Sequence, residues 1–527
     1  MSMTTTALSA DTPVLVLGLG ASGLAMARWA ARAGAPVRVW DTRPDPPQAA
    51  ALAERVPQAE RIVGELDARA DDAAVVLKSP GLAPHDPRIA PCLERARARG
   101  ARVVGELDLF ADALVELHAT RDYAPKVIAV TGTNGKTTTT AMVAQLVART
   151  GKQVAAAGNI GPTMLQTLAD ALDAGRLPDV WVLELSSFQL DGVEHFEPTA
   201  AALLNVTEDH LDWHGSMAAY ATAKARIWGT RATMVVNADD AVVERLAAET
   251  AAAALAPPKP AKGVRKPRAI KPVPRRIVRF GLGAPRAIGD FGLAVEHGMA
   301  WLAQGVPADD APRRDPGAPP PEVLVRHLMP ADALRVRGRH NAANALAALA
   351  LASAIGCPLA PMLHGLREYA GEPHRVAFVA TIGGIDAFDD SKGTNVGATV
   401  AALAGLGDDR APGKLAVILG GDGKGQDFAP LAAPLRRHAR AVAVIGRDGA
   451  AVEAAIGDAL RAAGIPIEPH ATLEAATRWC YAQACAGDAV LLSPACASFD
   501  MFRDYAHRAE VFVGEVHSIA ADQGVLA

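Results

Sequence analysis

The chain has 527 residues, half of them apolar, and a formal net charge of −4. That length exceeds what one hydrophobic core organises and predicts about two to four domains. The near-neutral balance excludes a global pull toward nucleic acid, and no apolar run reaches the length of a membrane span. Five scattered cysteines without metal-ligand spacing fit a reduced, cytoplasmic chain, and residues 1–11 lack the basic and apolar regions of a signal peptide.

In chain order, a strand at Val14 runs into Gly18-Leu-Gly20-Ala-Ser22-Gly23, with a helix expected over 24–33 and a second strand ending at Asp41. This βαβ pattern with a Gly-x-Gly-x-x-Gly turn reads most simply as NAD binding with Asp41 on the ribose. The same helix N-terminus takes any diphosphate, and Thr42 and Arg43 add donors at its mouth. Further strands over 74–77 and 102–104 complete a Rossmann-like domain at about 1–114.

The strand over 127–130 breaks at Thr131-Gly-Thr-Asn-Gly135, followed by Lys136, Thr137 and a helix over 138–150. Strand, glycine loop, Lys, Thr and helix form the geometry that cradles nucleotide phosphates. Lys136 is placed to reach the β- and γ-phosphates and Thr137 to ligate Mg²⁺. The first glycine of the usual P-loop is replaced by Val130, and a purely structural glycine turn is the alternative. Strands over 153–157, 179–185 and 200–204 then end at Gly158-Asn159, at Glu184 and at the segment holding His210. In an open α/β sheet ligands gather at such carboxyl ends. A capping role for Glu184 and a satisfied core histidine are the plain alternatives. Lys224, opening a helical segment, reads from the residues alone as a solvated surface lysine.

Between 251 and 321 the composition turns to Pro, Lys, Arg and Asp, as in flexible insertions, with short strands expected at 277–280 and 299–302. Arg339-His340-Asn341-Ala-Ala-Asn344 opens an Ala/Leu helix, where Asn341 can cap or face a ligand. Residues 369–375 read as a hinge into a third α/β domain. Its strands end at Asp389-Asp390-Ser-Lys392-Gly-Thr394-Asn395, at Gly420-Gly-Asp-Gly-Lys424-Gly425 and at Ser493-Pro-Ala-Cys-Ala-Ser498. Lys424 between two glycines is well placed to hold a carboxylate.

These segments, with Gly158-Asn-Ile-Gly161, Glu184-Leu-Ser-Ser-Phe-Gln-Leu190 and Asn205-Val-Thr-Glu-Asp-His210-Leu-Asp212, resemble the Mur ligase family in family order across nearly the whole chain. The altered P-loop is similar to the form shared with folylpolyglutamate synthases. The resemblance implies three α/β domains. The first, 1–114, is Rossmann-like and binds a UDP-sugar. The second, 115–371, is a P-loop ATPase-type parallel-sheet domain carrying the insertions, and the third, 372–527, is Rossmann-like and binds the amino acid. The last three motifs, and the lack of an Asp-Asn-Pro-Arg stretch, imply D-glutamate addition to UDP-N-acetylmuramoyl-L-alanine in peptidoglycan precursor synthesis. ATP and Mg²⁺ are the implied cofactors, and a cytoplasmic monomer is expected.

Carried over residue by residue, the resemblance implies nucleotide contacts at Gly132, Thr133, Asn134, Gly135, Lys136, Thr137, Thr138, Asn344, Arg375, Asp390 and Lys392. It implies Mg²⁺ ligands at Thr137, Glu184, His210 and a carbamylated Lys224, with Asn159 orienting substrate. Ser22, Thr42 and Arg43 match uridine-site positions. Thr394, Lys424, Ser498 and Tyr505 match the D-glutamate pocket, Tyr505 standing where the family has a Phe. A folylpolyglutamate synthase would begin near its P-loop, a dehydrogenase would leave Lys136, Glu184, His210 and Lys424 idle, and a non-catalytic regulator would have lost one of them.

Overall fold

A computed structural model describes residues 8–66, 70–255, 274–308, 322–336 and 338–524. Three sheets follow one another along the chain. The first has five parallel strands, β1 (Val14–Leu17), β2 (Val37–Trp40), β3 (Glu60–Ile62), β4 (Val75–Lys78) and β5 (Arg102–Val104), in the order β3-β2-β1-β4-β5. All four β1 side chains are buried, as expected of a parallel strand covered on both faces. The order reverses beside β1, which places the glycine turn at a switch point where ligands bind. The following helix, Ala21–Arg32, starts three residues earlier than expected because Gly20 in extended backbone already serves as its N-cap. Position 114, where the sequence suggested a boundary, lies inside the helix Glu106–Arg121.

The second sheet has nine strands: β6 (Lys126–Thr131), β7 (Val154–Gly158), β8 (Val180–Glu184), β9 (Ala200–Leu203), β10 (Thr233–Asn237), β11 (Ile277–Phe280), β12 (Phe291–Glu296), β13 (Met299–Pro307) and β14 (Val323–Pro330). The order is β14-β13-β12-β11-β10-β9-β6-β8-β7. The expected parallel sheet is present from β7 to β12, but β12, β13 and β14 continue it as an antiparallel meander. Only β11 and part of β13 were expected; β14 follows directly on the second Pro-rich stretch, and β12, FGLAVE, lies in the segment between the two stretches. The basic stretch 262–276 falls mostly outside the described residues, as does 309–321.

The third sheet comprises β15 (Ala377–Ile382), β16 (Ile385–Asp389), β17 (Leu415–Gly420), β18 (Ala439–Ile445), β19 (Ile467–Pro469) and β20 (Ala489–Leu492). Its order is β15-β16-β20-β17-β18-β19, parallel except at the β15 edge.

One apolar core runs from the first sheet onto one face of the second, with Phe110 edge-on to Trp181 at 5.0 Å. The other face of the second sheet packs on the alanine-rich helix Arg339–Ala354, whose small side chains allow close approach. The third sheet has its own cores on its two faces. Between them the chain passes through a strained connection in which Gly371, His374 and Val376 all have positive φ (97°, 63° and 48°). For a β-branched residue such as Val376 that conformation is an outlier.

Candidate active site

The phosphate loop is held from two sides. The Thr133 N–H donates to the Asn205 carbonyl at 3.0 Å, and Asn205 exchanges two side-chain hydrogen bonds with Asn134 at 2.8 and 3.0 Å. The hydroxyls of Thr133 and Tyr220 lie 3.0 Å apart. Gly135 has φ +82°, and a Cβ there would meet Asn344 Oδ1 at 2.6 Å, so only glycine fits. A Cβ on Gly132 would meet the Leu204 side chain at 2.9 Å. The helix begins at Lys136, two residues before the expected start, so Thr137 and Thr138 sit in its first turn and the free N–H groups face the loop.

Two lysines converge on this loop. Lys136 Nζ donates to the carbonyls of Gly132 (2.9 Å) and Thr133 (2.8 Å), and Lys224 Nζ donates to the same Gly132 carbonyl at 2.8 Å. Lys224 is 2 % exposed, which corrects the reading of a solvated surface lysine. Burial pulls both lysines below their usual range, Lys224 well below, and the neighbouring Lys136 adds to the effect on Lys224.

Glu184, at the end of β8, is also buried. Its Oε1 accepts from Asn159 Nδ2 at 2.8 Å, whereas its Oε2 is buried without a partner. His210 has φ 55° and packs on the Phe188 ring at 4.7 Å. Burial lowers its pKa against the opposing pull of Asp209, and Lys424, Lys136 and Lys224 lower it further. Lys424 belongs to the third domain, so its charge is felt across the cleft. Among the described residues no group of three His, Cys, Asp or Glu is placed to hold a metal. The orphaned Glu184 oxygen, the Thr137 hydroxyl and a neutral His210 nonetheless suit Mg²⁺, which takes one or two carboxylates and completes its shell with phosphates and water.

The third domain reaches over this site. Arg375 Nη2 donates to Thr137 Oγ1 at 2.9 Å, and Asn395 Nδ2 to Asn134 Oδ1 at 3.0 Å. A cavity of about 300 Å³ between the two domains is lined by Gly135, Thr138, Asn344, Arg375 and Asp390 among others. Burial raises the Asp390 carboxyl to about 7 even though Ser493 donates to it at 2.7 Å. Lys392 is drawn down to about 8 by burial and by Arg375, and its ammonium lies 5.3 Å from the Tyr505 ring centre.

The expected amino-acid residues lie on three connected turns. Lys424 is exposed at φ 51°. Its turn joins that of Ser498 through a pair of 2.9 Å bonds between Asp422 and Ala497. Thr394 N–H turns back onto the Lys392 carbonyl at 3.0 Å, and Tyr505 opens the helix Tyr505–Asp522 with its carbonyl accepting from Ser391 Oγ at 2.7 Å. The sequence reading missed the residue that ties these turns together. Arg508 is fully buried; Nε and Nη2 bind Ser391 at 3.0 and 2.8 Å, and Nη1 binds the Cys496 carbonyl at 3.1 Å. Its spacing of three from Tyr505, one helical turn on, was the only signal. Asn395, both an N-cap and a cross-domain donor, was missed in the same way.

Ser22, Thr42 and Arg43 remain in the first domain, apart from this cluster. Ser22 is in the first turn after Gly20, and Thr42 and Arg43 line a cavity of about 700 Å³ with Arg61, Arg88 and Arg95. Asp41 is not free for a ribose: its carboxylate accepts from Leu19 N–H at 2.6 Å and from Arg43 at 2.9 and 3.0 Å. That corrects the NAD reading of the glycine turn.

The chain belongs to the Mur ligase family. The N-terminal domain of MurD-like Mur ligases matches residues 12–105, the Mur ligase middle domain 130–256 and the Mur ligase glutamate ligase domain 374–496. It is 55 % identical over 517 residues to the UDP-N-acetylmuramoylalanine--D-glutamate ligase of Albidiferax ferrireducens, covering 98 % of this chain and 97 % of that protein. It is 56 % identical over 521 residues to the ligase of the same name from Burkholderia mallei, covering 97 % and 98 %. Among solved structures, the fold matches MurF ligase from Thermotoga maritima in complex with ADP (TM-score 0.56, 17 % identity, 97 % and 98 % covered). It also matches the UDP-N-acetylmuramate-alanine ligase MurC of the same organism (TM-score 0.55, 21 % identity, 96 % and 99 % covered).

Proposed function

We propose that this chain is an ATP-dependent amide ligase that adds D-glutamate to UDP-N-acetylmuramoyl-L-alanine, yielding ADP and phosphate, in the cytoplasmic assembly of peptidoglycan precursor. The reading is supported by full-length identity of 55 to 56 % to ligases bearing that name. The observation that carries it is the meeting of Lys136, Lys224, Glu184 and His210 beneath a third-domain rim bearing Arg375, Lys392 and Lys424.

A carboxylate resists attack by an amine because its oxygen is a poor leaving group. Transfer of the γ-phosphoryl group from ATP onto the L-alanyl carboxylate gives an acyl phosphate and ADP. The amine of D-glutamate adds to the acyl carbon, and the tetrahedral intermediate expels phosphate as the amine proton is lost. Stabilising this chemistry is mainly positioning and charge. The P-loop N–H groups and Lys136 hold the phosphates. Arg375 and Lys392 meet them from the other side of the cleft. Asn159 and Glu184 fix each other, keeping the Asn159 amide oriented toward the acceptor. Lys424, with Thr394, Ser498 and Tyr505, holds D-glutamate. Thr137, Glu184, His210 and Lys224 as its carbamate would hold Mg²⁺, which when bound neutralises phosphate charge.

The test is phosphate release from ATP with UDP-N-acetylmuramoyl-L-alanine, run with D-glutamate, L-glutamate, L-lysine or meso-diaminopimelate. Release that requires D-glutamate is expected. Release with another amino acid would retain the ligase and overturn the pocket assignment; none with any would overturn the reaction.

A further inference from the structure

Lys78 closes β4, and its register partner on β1 is Leu17, the residue before the Gly18 turn. An ammonium has three donors. Two are directed at the carbonyls of Leu82 (2.9 Å) and Ser79 (3.4 Å). Among the described residues no carboxylate lies within ion-pair distance of it; the acid whose charge it feels, Asp191, is engaged by Arg226 at 3.0 Å. Burial draws Lys78 down to about 8, so it remains a cation at neutral pH.

Across the domain seam Lys78 Nζ stands 5.5 Å from the ring centre of Trp213. The Trp213 indole N–H is buried with no partner. Trp213 packs on Phe188 at 4.8 Å, and the same Phe188 ring supports His210. A partly buried cation over an indole face and an orphan N–H on that same ring are therefore brought together, from two domains, one strand away from a helix N-terminus suited to phosphate. The ring face offsets part of the cost of burying the cation, and an anion reached by the third Lys78 donor and by the indole N–H offsets the rest.

We propose that Lys78 and Trp213 form a cross-domain clamp on the diphosphate of the nucleotide-sugar substrate, an inference that rests on the function proposed above. The glycine turn supplies N–H groups from one side. Lys78 supplies the full positive charge that the turn lacks, and Trp213 makes binding in the first domain felt by the middle one.

Calorimetric titration of the full chain with UDP, uridine and ADP tests this. Lys78→Met is expected to weaken UDP roughly tenfold, the size of one charge-assisted hydrogen bond. Uridine and ADP affinities and the melting temperature should stay unchanged. Lys78→Arg should restore UDP to within about threefold, and Trp213→Phe, which keeps the ring and removes the N–H, should weaken it about threefold. Equal losses for UDP and uridine, or a lowered melting temperature that Lys78→Arg does not recover, would make Lys78 a brace for its own turn and overturn the clamp. Unchanged UDP affinity with weakened binding of the complete substrate would move the cation to the muramoyl carboxylate and overturn the diphosphate assignment. Failure of the unaltered protein to bind UDP would instead overturn the substrate reading itself.

Discussion

At the scale of single residues, burial decides which protonation state does the chemistry. Lys224 is 2 % exposed and its pKa is driven well below the usual value by burial and by Lys136. A neutral amine is the form that adds to carbon dioxide, and a carbamate formed there would exchange a cation for an anion beside Lys136 and Glu184. With ¹³C-labelled bicarbonate, a carbamate carbon resonance is expected for the unaltered protein and should vanish in Lys224→Ala; its presence in both would place the label elsewhere. Asp41 shows the opposite sign. Burial pushes it up, but Arg43 and the N–H groups of Leu19 and Arg43 outweigh that and hold it at about 2. A depressed folded-state pKa stabilises the fold above the unfolded value, roughly 3.9, and that contribution disappears as pH falls through about 2. Because Arg43 is largely exposed, the contribution is about 1 kcal/mol. Asp41→Asn should therefore lower the urea midpoint at pH 7, with the gap to the unaltered protein narrowing below about pH 4. A gap that widens in acid would contradict the assignment.

At the scale of elements, the strand-to-helix junctions were the legible part. Glycines, Lys136, Glu184 and Lys424 sit at strand ends in both sequence and structure, because a parallel sheet leaves its carboxyl ends as the place where polar side chains can converge. Helix starts were read late at residues 21 and 136, since an N-cap glycine looks like loop. Less legible were the contacts made by distance in sequence: Arg508 on Ser391, Asn395 on Asn134, Lys78 beside Trp213. Nothing local marks such partners, because only the folded sheets bring them together. Lys224 was legible through resemblance and not through its own neighbours. The P-loop offers a sharp test of element geometry. Gly135→Ala combines a left-handed backbone, costing roughly 1–2 kcal/mol for an L side chain, with a 2.6 Å clash against Asn344 Oδ1. The ATP KM should rise at least about tenfold while the circular dichroism spectrum stays that of the folded protein. An unchanged KM would mean that Asn344 swings aside without being needed for nucleotide.

At the scale of the whole molecule, the first two domains share a continuous core, whereas the third has cores of its own. Among the described residues, the direct side-chain hydrogen bonds from the third domain to the phosphate loop and its helix are Arg375 to Thr137 and Asn395 to Asn134. A hydrogen bond of this kind contributes about 1 kcal/mol net, and the hinge stores strain at Val376, φ 48°. Closure is therefore finely balanced, and a ligand touching both sides of the cleft can tip it by its differential affinity alone. ATP held as proposed above would be such a ligand, since the cavity between the domains is lined by Gly135 and Thr138 on one side and by Arg375 and Asp390 on the other. Small-angle scattering should show the radius of gyration falling when a non-hydrolysable ATP analogue and the UDP-sugar are added together. Arg375→Ala removes one of the two bonds and the phosphate contact proposed for this residue. It should reduce that compaction and raise the ATP KM at least about tenfold, with affinity for UDP unchanged because the first domain is untouched. Compaction of equal size in the variant would show that closure does not run through Arg375. Equal scattering curves with and without ligands in the unaltered protein would show that the third domain is already locked over the site, and that access to it must come from elsewhere.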